Sequence, residues 1–351
     1  VLATLLYSTK ALPEQIAFKN CISHGIILDG KGQKMSKSKG NVVEPFEVIN
    51  KHGADAIRWY MYTSSPPGNT KRFSSELVED SSRKTFSTLW NTYSFFITYA
   101  NIASFSVDKK LLISNQRTEL DLWIQSELNE TIKKVSVGLE KYEPSEAARP
   151  INQFIEQLSN WYVRRNRRRF WKTDNSVDTL IAMNILYECL LKITQISAPF
   201  IPFLSEKIYQ NLSKVLNEES QESIHLTKWP SYNVKQIDEA LGLKIKMIQK
   251  MVSLGRRIRQ QSEIKVRQPL EKIIFITKNQ EEGAFLVDAQ KEIKEELNVK
   301  NIEIHDFNSQ LVKYEINVNK AIMGPKIGKE VNNLEKEIKK IKPLKILKDL
   351  N

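Results

Sequence analysis

A chain of 351 residues with 41% hydrophobic and 27% charged side chains has enough apolar material for two or three globular cores, and no apolar run approaches the roughly 20 residues that span a bilayer, so no membrane segment is expected. Lys+Arg 53 against Asp+Glu 41 leaves a net charge of +12, which suits a polyanionic partner whose condensed counterions basic side chains displace, although a lysine-rich surface kept for solubility gives the same total. Cys21 and Cys189 sit amid apolar neighbours, and His24, His52, His225 and His305 are scattered; this excludes a disulfide framework and a Cys-x-x-Cys metal pattern, assigns no metal ligands, and favours a reducing, cytoplasmic setting.

The chain opens on an apolar helical stretch, Val1 to Tyr7, without a methionine and without the charged segment of a signal peptide, and is expected to be a fragment. Cys21 to Leu28 reads as a buried strand ended by the turn residues Asp29, Gly30 and Gly32. A lysine-rich loop follows. Pro45 suits a first helical position, Gly53 to Ser64 a second short helix, and Pro66-Pro67-Gly68-Asn69 a turn. From Ser74 long amphipathic helices begin, with Phe86, Leu89, Trp90, Tyr93, Ile97 and Ala100 spaced as a core stripe. Further helices are expected near 117–141, 145–172, 176–196, 203–216 and 237–262. The last part reads as α/β, with strand-like Lys272 to Thr277, a helix near 286–297, and strand-like Val299–Phe307 and Leu311–Val318. Lys326 to Lys348 fits either a truncated domain or a solvated amphipathic helix.

Lys34-Met35-Ser36-Lys37-Ser38-Lys39-Gly40-Asn41 puts several ammonium groups on a loop after a strand and turn. Lysines that reach non-bridging phosphate oxygens as negative charge develops lower the barrier of nucleotidyl transfer, and Ser36, Ser38 and Gly40 allow close approach. A lysine-rich loop alone is more often solvated surface. This one resembles letter for letter the second signature of the class I aminoacyl-tRNA synthetases, with Gly53-Ala54-Asp55-Ala56-Ile57-Arg58 downstream in the matching place.

Longer matches narrow the resemblance to the isoleucyl-tRNA synthetase family. They are Asn41 to Ile49, Ser65 to Asn69 with Arg72-Phe73-Ser74, Thr88 to Phe96, Leu158 to Trp171, and Ser253 to Arg259 with Ile264 to Leu270. The form without zinc-type cysteines fits the eukaryote-like branch. What the resemblance implies is a mainly α chain in three parts. Residues 1–72 would end a Rossmann-type α/β catalytic domain, residues 73–232 would be a helical anticodon-binding bundle, and residues 233–351 would hold a linker helix and an incomplete α/β domain.

The implied reaction is ATP-dependent adenylation of isoleucine and transfer to tRNA(Ile), by a monomer, with ATP arriving together with Mg2+ and no zinc site. Lys34 and Lys37 would be catalytic, and Lys34, Met35, Ser36, Lys37 and Ser38 would bind ATP. Asp55 and Arg58, three apart, would pair or cap beneath the loop. Trp161, Arg164, Arg165, Arg167, Arg168 and Arg169, with Arg256 and Arg257, would bind tRNA. Five arginines within six positions repel unless something anionic faces them, and internal Glu and Asp are the alternative partners to phosphate. The first class I signature and an editing insertion are not in this sequence, so the isolated chain is expected to bind tRNA without forming adenylate. A valyl- or leucyl-tRNA synthetase, or a non-catalytic tRNA-binding module, remains as the alternative.

Overall fold

A computed structural model describes residues 2–11, 20–171, 176–215 and 220–306, with 318, 322–323, 325 and 328–340. Contacts divide the chain into two compact units, Val1–Gly242 and Leu243–Asn351.

The first unit begins with α1 (Leu2–Ser8) and then a small α/β element. β1 (Ile27–Leu28) leads to the lysine loop, followed by α2 (Pro45–His52), α3 (Ala54–Thr63) and β2 (Lys71–Arg72), which runs parallel to β1 with Ile27 opposite Lys71 and Leu28 opposite Arg72. The expected buried strand from Cys21 to Leu28 is corrected here. Only its last two residues pair, and Cys21, Ile22 and Ile26 are exposed. A parallel strand is buried only where both faces are covered, and the residues before Ile27 lack such a cover among the described residues. A compact cluster of Val48, Ala56, Tyr60, Phe73 and Val78 instead holds α2, α3 and the next helix together, with Met35 packed against it.

That helix is α4 (Ser75–Ile102), capped by Ser74, whose side chain accepts the N–H of Leu77. α5 (Glu119–Glu140) starts on a capping box in which Thr118 and Asp121 each satisfy the other's backbone N–H. α6 (Pro144–Gln157) has Pro144 in its first turn and runs through a π-helical turn, Leu158–Val163, into α7 (Arg164–Trp171). α8 (Val177–Ser197) and α9 (Pro202–Leu212) complete a bundle in which α8 packs on α4, α5, α6, α7 and α9. α8 alone among the described residues is long and apolar enough to cross a membrane, and with 72% of that stretch buried it is the core helix of this bundle. Phe96, Trp123, Ile132, Phe154, Tyr162 and Ile185 fill the interior, each such side chain contributing about 1.5–3 kcal/mol by burial. Trp90 departs from the expected stripe. It is 40% exposed, at the rim of an apolar groove of about 660 Å³ with Phe86 and Phe203.

The second unit holds most of α10 (Glu239–Gln261), then β3 (Leu270–Thr277), α11 (Gln280–Asp288), α12 (Gln290–Leu297) and β4 (Val299–Asp306). β3 and β4 pair in parallel from Leu270 opposite Val299 to Thr277 opposite Asp306, and the two short helices make the crossover that parallel pairing requires. One helix was expected near 286–297; the crossover starts earlier, at the Asn279 cap, and breaks at Ala289. Asn298, at φ 50, ends α12, and its side chain donates to the carbonyls of Val266 and Arg267. Gly255 of α10 is a close approach: a Cβ there would lie 2.4 Å from Leu297 Cδ1. Arg259, 4% exposed, donates to the carbonyls of Lys265, Gln268, Leu297 and Asn298. α13 (Val331–Lys340) follows a short 3-10 turn. The strand-like Leu311–Val318 lies outside the described residues except for its last position, as do Phe307 and most of Lys326–Lys348 beyond α13.

Candidate functional site

The lysine loop is tied at its base and open at its tip. Leu28 bridges antiparallel to Lys34, and Asp29 N–H donates to Gln33 O at 2.8 Å, so the chain leaves β1 through a tight turn that places Gly32 at φ 82. The Asp29 carboxylate accepts the N–H groups of Gln33 and Lys31 at 2.7 and 3.0 Å, and the side-chain amide of Asn41 at 2.8 Å. The Gln33 N–H, then Asn41, hold its pKa below the usual carboxylate value. Asn41 in turn accepts the N–H of Ser36 at 2.9 Å and donates to Lys34 O at 3.2 Å.

Above this base, Lys37–Lys39 form one 3-10 turn, closed by Gly40 at φ 64, and Ser36 and Ser38 share a hydroxyl hydrogen bond of 2.8 Å. Lys34, Lys37, Ser38 and Lys39 are exposed, whereas Met35 and Ser36 are half-buried, Met35 as the anchor into the core below. The tip therefore offers ammonium, hydroxyl and backbone donors on one short turn, a set matched to phosphate oxygens. It offers no carboxylate to a cation, because Asp29 is occupied by three N–H groups. Among the described residues no three His, Cys, Asp or Glu side chains group as metal ligands.

Asp55 and Arg58, expected to pair or cap beneath the loop, reach elsewhere. Asp55 accepts the N–H groups of Phe203 and Leu204 at the start of α9, at 3.3 and 2.7 Å, and Arg58 donates to the carbonyls of Pro199 and Phe200 at 2.6 and 3.2 Å. One turn of α3 thus grips the α8–α9 corner. Burial raises the Asp55 pKa, the Leu204 and Phe203 N–H groups opposing it.

The arginine helix splits into two populations. Arg167 and Arg168 are exposed, and Arg164 and Arg165 are half-exposed with their guanidinium carbons 5.5 and 5.4 Å from the centre of the Trp161 ring. Trp161 itself is only 6% exposed and Arg169 only 9%. Arg169 shares its buried face with Val163, Asn166 and Phe170, and its fork closes on Asp121 at 2.8 and 3.0 Å while Nη2 of the same fork also pairs with Asp178 at 2.8 Å. Tyr162 donates to the same Asp121 at 2.7 Å. Trp161 and Arg169, both expected from the sequence to bind tRNA, are buried instead. An acidic group presented by α5 takes the arginine inward, and the buried indole carries the Arg164 and Arg165 guanidinium groups over its ring. Burial alone would raise the Asp121 pKa, but the Arg169 hydrogen bond and charge outweigh it and the carboxyl is held below its usual value; burial followed by the Asp121 charge pushes Tyr162 well up.

In the second unit Arg257 is exposed, while Arg256 is ion-paired to the buried Glu296 at 2.6 Å. Asp29, Asn41, Asp121 and Asp178 were not among the site residues expected from the sequence. For the first two a signal existed, an Asp-Gly turn opening the loop and an Asn closing it.

The matching family models are tRNA synthetases class I (I, L, M and V), over residues 1–74, and the anticodon-binding domain of tRNA ligase, over residues 121–274. The chain belongs to the class I aminoacyl-tRNA synthetase family. It is 47% identical over 283 residues to an isoleucine–tRNA ligase of Dehalococcoides mccartyi, covering 81% of this chain and 28% of that protein. It is 42% identical to the isoleucine–tRNA ligase of Thermus thermophilus, covering 93% of this chain and 31% of that one, and 41% identical to that of Clostridium novyi, covering 99% and 33%. The chain thus spans about a third of the length of these relatives. Among solved structures, LeuRS of Agrobacterium radiobacter in a ternary complex with tRNA and LeuAMS is similar at TM-score 0.53 and 20% identity, over 68% of this chain and 27% of that one, a likeness of fold.

Proposed function

We propose that the chain is the part of an isoleucine–tRNA ligase that brings the phosphates of ATP and the body of tRNA(Ile) to the enzyme. The observation that carries the reading is the loop: three exposed lysines on a braced turn directly after β1, in a chain 41–47% identical to isoleucine–tRNA ligases over most of its length. Lys37 stands on the turn and Lys34 at its base, so Lys37 follows the phosphates as they move toward pyrophosphate and Lys34 supplies fixed charge. Backbone and hydroxyl donors at Met35, Ser36 and Ser38 complete the cradle. Because the loop presents donors and no free carboxylate, Mg2+ is read as part of the magnesium–ATP substrate, held by the phosphates themselves.

For tRNA, the exposed Arg167 and Arg168, with Arg164 and Arg165 braced on Trp161, form the phosphate-facing surface of the bundle, and Arg257 does the same in the second unit. Arg169 and Arg256 support that surface through Asp121 and Glu296. The exposed thiol of Cys21 and the buried one of Cys189 are both free, in keeping with a reducing, cytoplasmic setting. The test is pyrophosphate exchange and tRNA(Ile) charging by an enzyme of the relatives' full length that carries this chain. Exchange driven by isoleucine far above valine, leucine or methionine is expected; exchange driven equally by leucine or valine would overturn the isoleucine assignment.

A further inference from the structure

Asn41 is not one of the lysine-bearing positions, yet its side chain makes three hydrogen bonds at the base of the loop. Its amide nitrogen reaches both Asp29 Oδ2 and Lys34 O, and its carbonyl oxygen takes the N–H of Ser36. Asp29 is 12 positions away in sequence and is itself locked to the turn by Lys31 and Gln33. Together they close the two stems of the loop against each other. Lys34 lies within this closure, bridged to Leu28 and held by its carbonyl. Lys37 and Lys39 lie beyond it, on a turn whose ties are internal: Lys39 N–H to Ser36 O, Gly40 N–H to Lys37 O, and Ser36 to Ser38. Gly40 has nothing within 4 Å of where a Cβ would sit, so the distal hinge is unobstructed, whereas a Cβ at Gly32 on the proximal side would meet Arg72 Nε at 3.3 Å.

We infer that Asn41 and Asp29 are positioning residues for adenylation: they fix the loop's base and Lys34, and confine motion on ATP binding to the Ser36–Gly40 turn that carries Lys37. The inference rests on the adenylating function proposed above and deepens it. Without the brace the turn would swing on both stems, and the charge meant for the transition state would be spread over many loop positions. A displacement of about 1 Å in a catalytic group costs on the order of a hundredfold in rate. The side chain of Asp29 suits the task because it is 9% exposed and its lowered pKa keeps it ionised, able to accept three donors together.

The test uses the full-length enzyme and the variants Asn41→Ala, Asn41→Asp, Asp29→Ala and the Asp29→Ala/Asn41→Ala double. Asn41→Asp keeps the shape and the acceptor for Ser36 but puts a carboxylate against Asp29. Pre-steady-state adenylate formation is expected to slow at least about tenfold in each single variant, with KM for isoleucine within about twofold of the parent. Transfer from preformed adenylate to tRNA should stay unchanged, which also shows that the variants are folded. The double variant should be no slower than the worse single, because both remove one brace. Asn41→Ala at the parental rate, multiplied losses in the double, or an equal loss in transfer would each overturn the brace. A parent enzyme with no isoleucine-dependent exchange would instead overturn the function on which it rests.

Discussion

Arg169 and Asp121, 48 residues apart in sequence, meet as a fork on a carboxylate at 2.8 and 3.0 Å inside the helical bundle. The pair ties the starts of α5 and α8 to the arginine helix. Asp121 is also the inner partner of the capping box of α5, accepting the N–H of Thr118 at 2.8 Å, and Arg169 continues to Asp178 in the first turn of α8. Tyr162, from the π-helical turn, completes the ring of donors on Asp121. The last arginine of a cationic run thereby becomes the bolt that orients the run.

Removing one partner of such a pair leaves a buried charge alone, at a cost of about 3–5 kcal/mol. Arg169→Ala is therefore expected to lower the urea midpoint of the chain strongly, while Arg167→Ala and Arg168→Ala, exposed neighbours on the same helix, should shift stability by less than about 0.5 kcal/mol. Equal losses at the three positions would contradict the division into inward and outward arginines.

The same pair predicts a pH dependence with a definite sign. Asp121 has a folded pKa below its ordinary value of about 3.9, so its contribution is fully present above that value and is lost as pH falls through the depressed one. Comparison of the parent with Asp121→Asn should show a gap in unfolding free energy that is constant from neutral pH to about 5 and narrows below pH 4. A gap that widened in acid would show that Asp121 is not held ionised.

Binding to tRNA should separate the arginines in the opposite sense. Removing one arginine–phosphate interaction reduces the slope of log affinity against log salt by about 0.9 for duplex and 0.7 for single strands. Arg167→Ala, Arg168→Ala and Arg257→Ala are each expected to flatten the slope by about that amount in filter-binding or anisotropy titrations. An unchanged slope for all three would remove these residues from the interface.

The second unit has its own sharp point at Gly255. A methyl group there meets Leu297, itself only 1% exposed, at 2.4 Å. Gly255→Ala should destabilise this unit by about 1–3 kcal/mol, as overpacking does, measured as an earlier local unfolding of amides in β3 and β4 by hydrogen exchange. Unaltered protection there would mean that α10 and α12 can part without cost.

Much of this was legible from the residues, for reasons that differ by element. Helices with a strong 3.6-residue period and a cap or proline at the start, such as α5, α8 and α9, fall where periodicity places them. The lysine loop is visible because its chemistry is local. Cys21 to Leu28 misleads because an apolar run states only what could be buried, and burial needs a second layer. Trp90 misleads in the same way: it continues the stripe of α4, but the groove beside Phe203 leaves one side open. Counting turns puts Arg169 on a different arc from Val163 and Phe170, and its inward position depends on an acid presented 48 residues earlier, which no local pattern reveals. Asn41 lies in plain view within the loop, but its role is written in three hydrogen bonds that join distant ends of the segment.

Whether the lysine loop acts on the phosphates of ATP as adenylate forms is decided by Lys37→Ala in the full-length enzyme. Adenylate formation measured in a single turnover should fall by a factor on the order of a hundred or more, with isoleucine binding nearly unchanged, because the interaction is made in the transition state. Equal losses in isoleucine binding and in the rate of adenylate formation, or no loss in either, would contradict it.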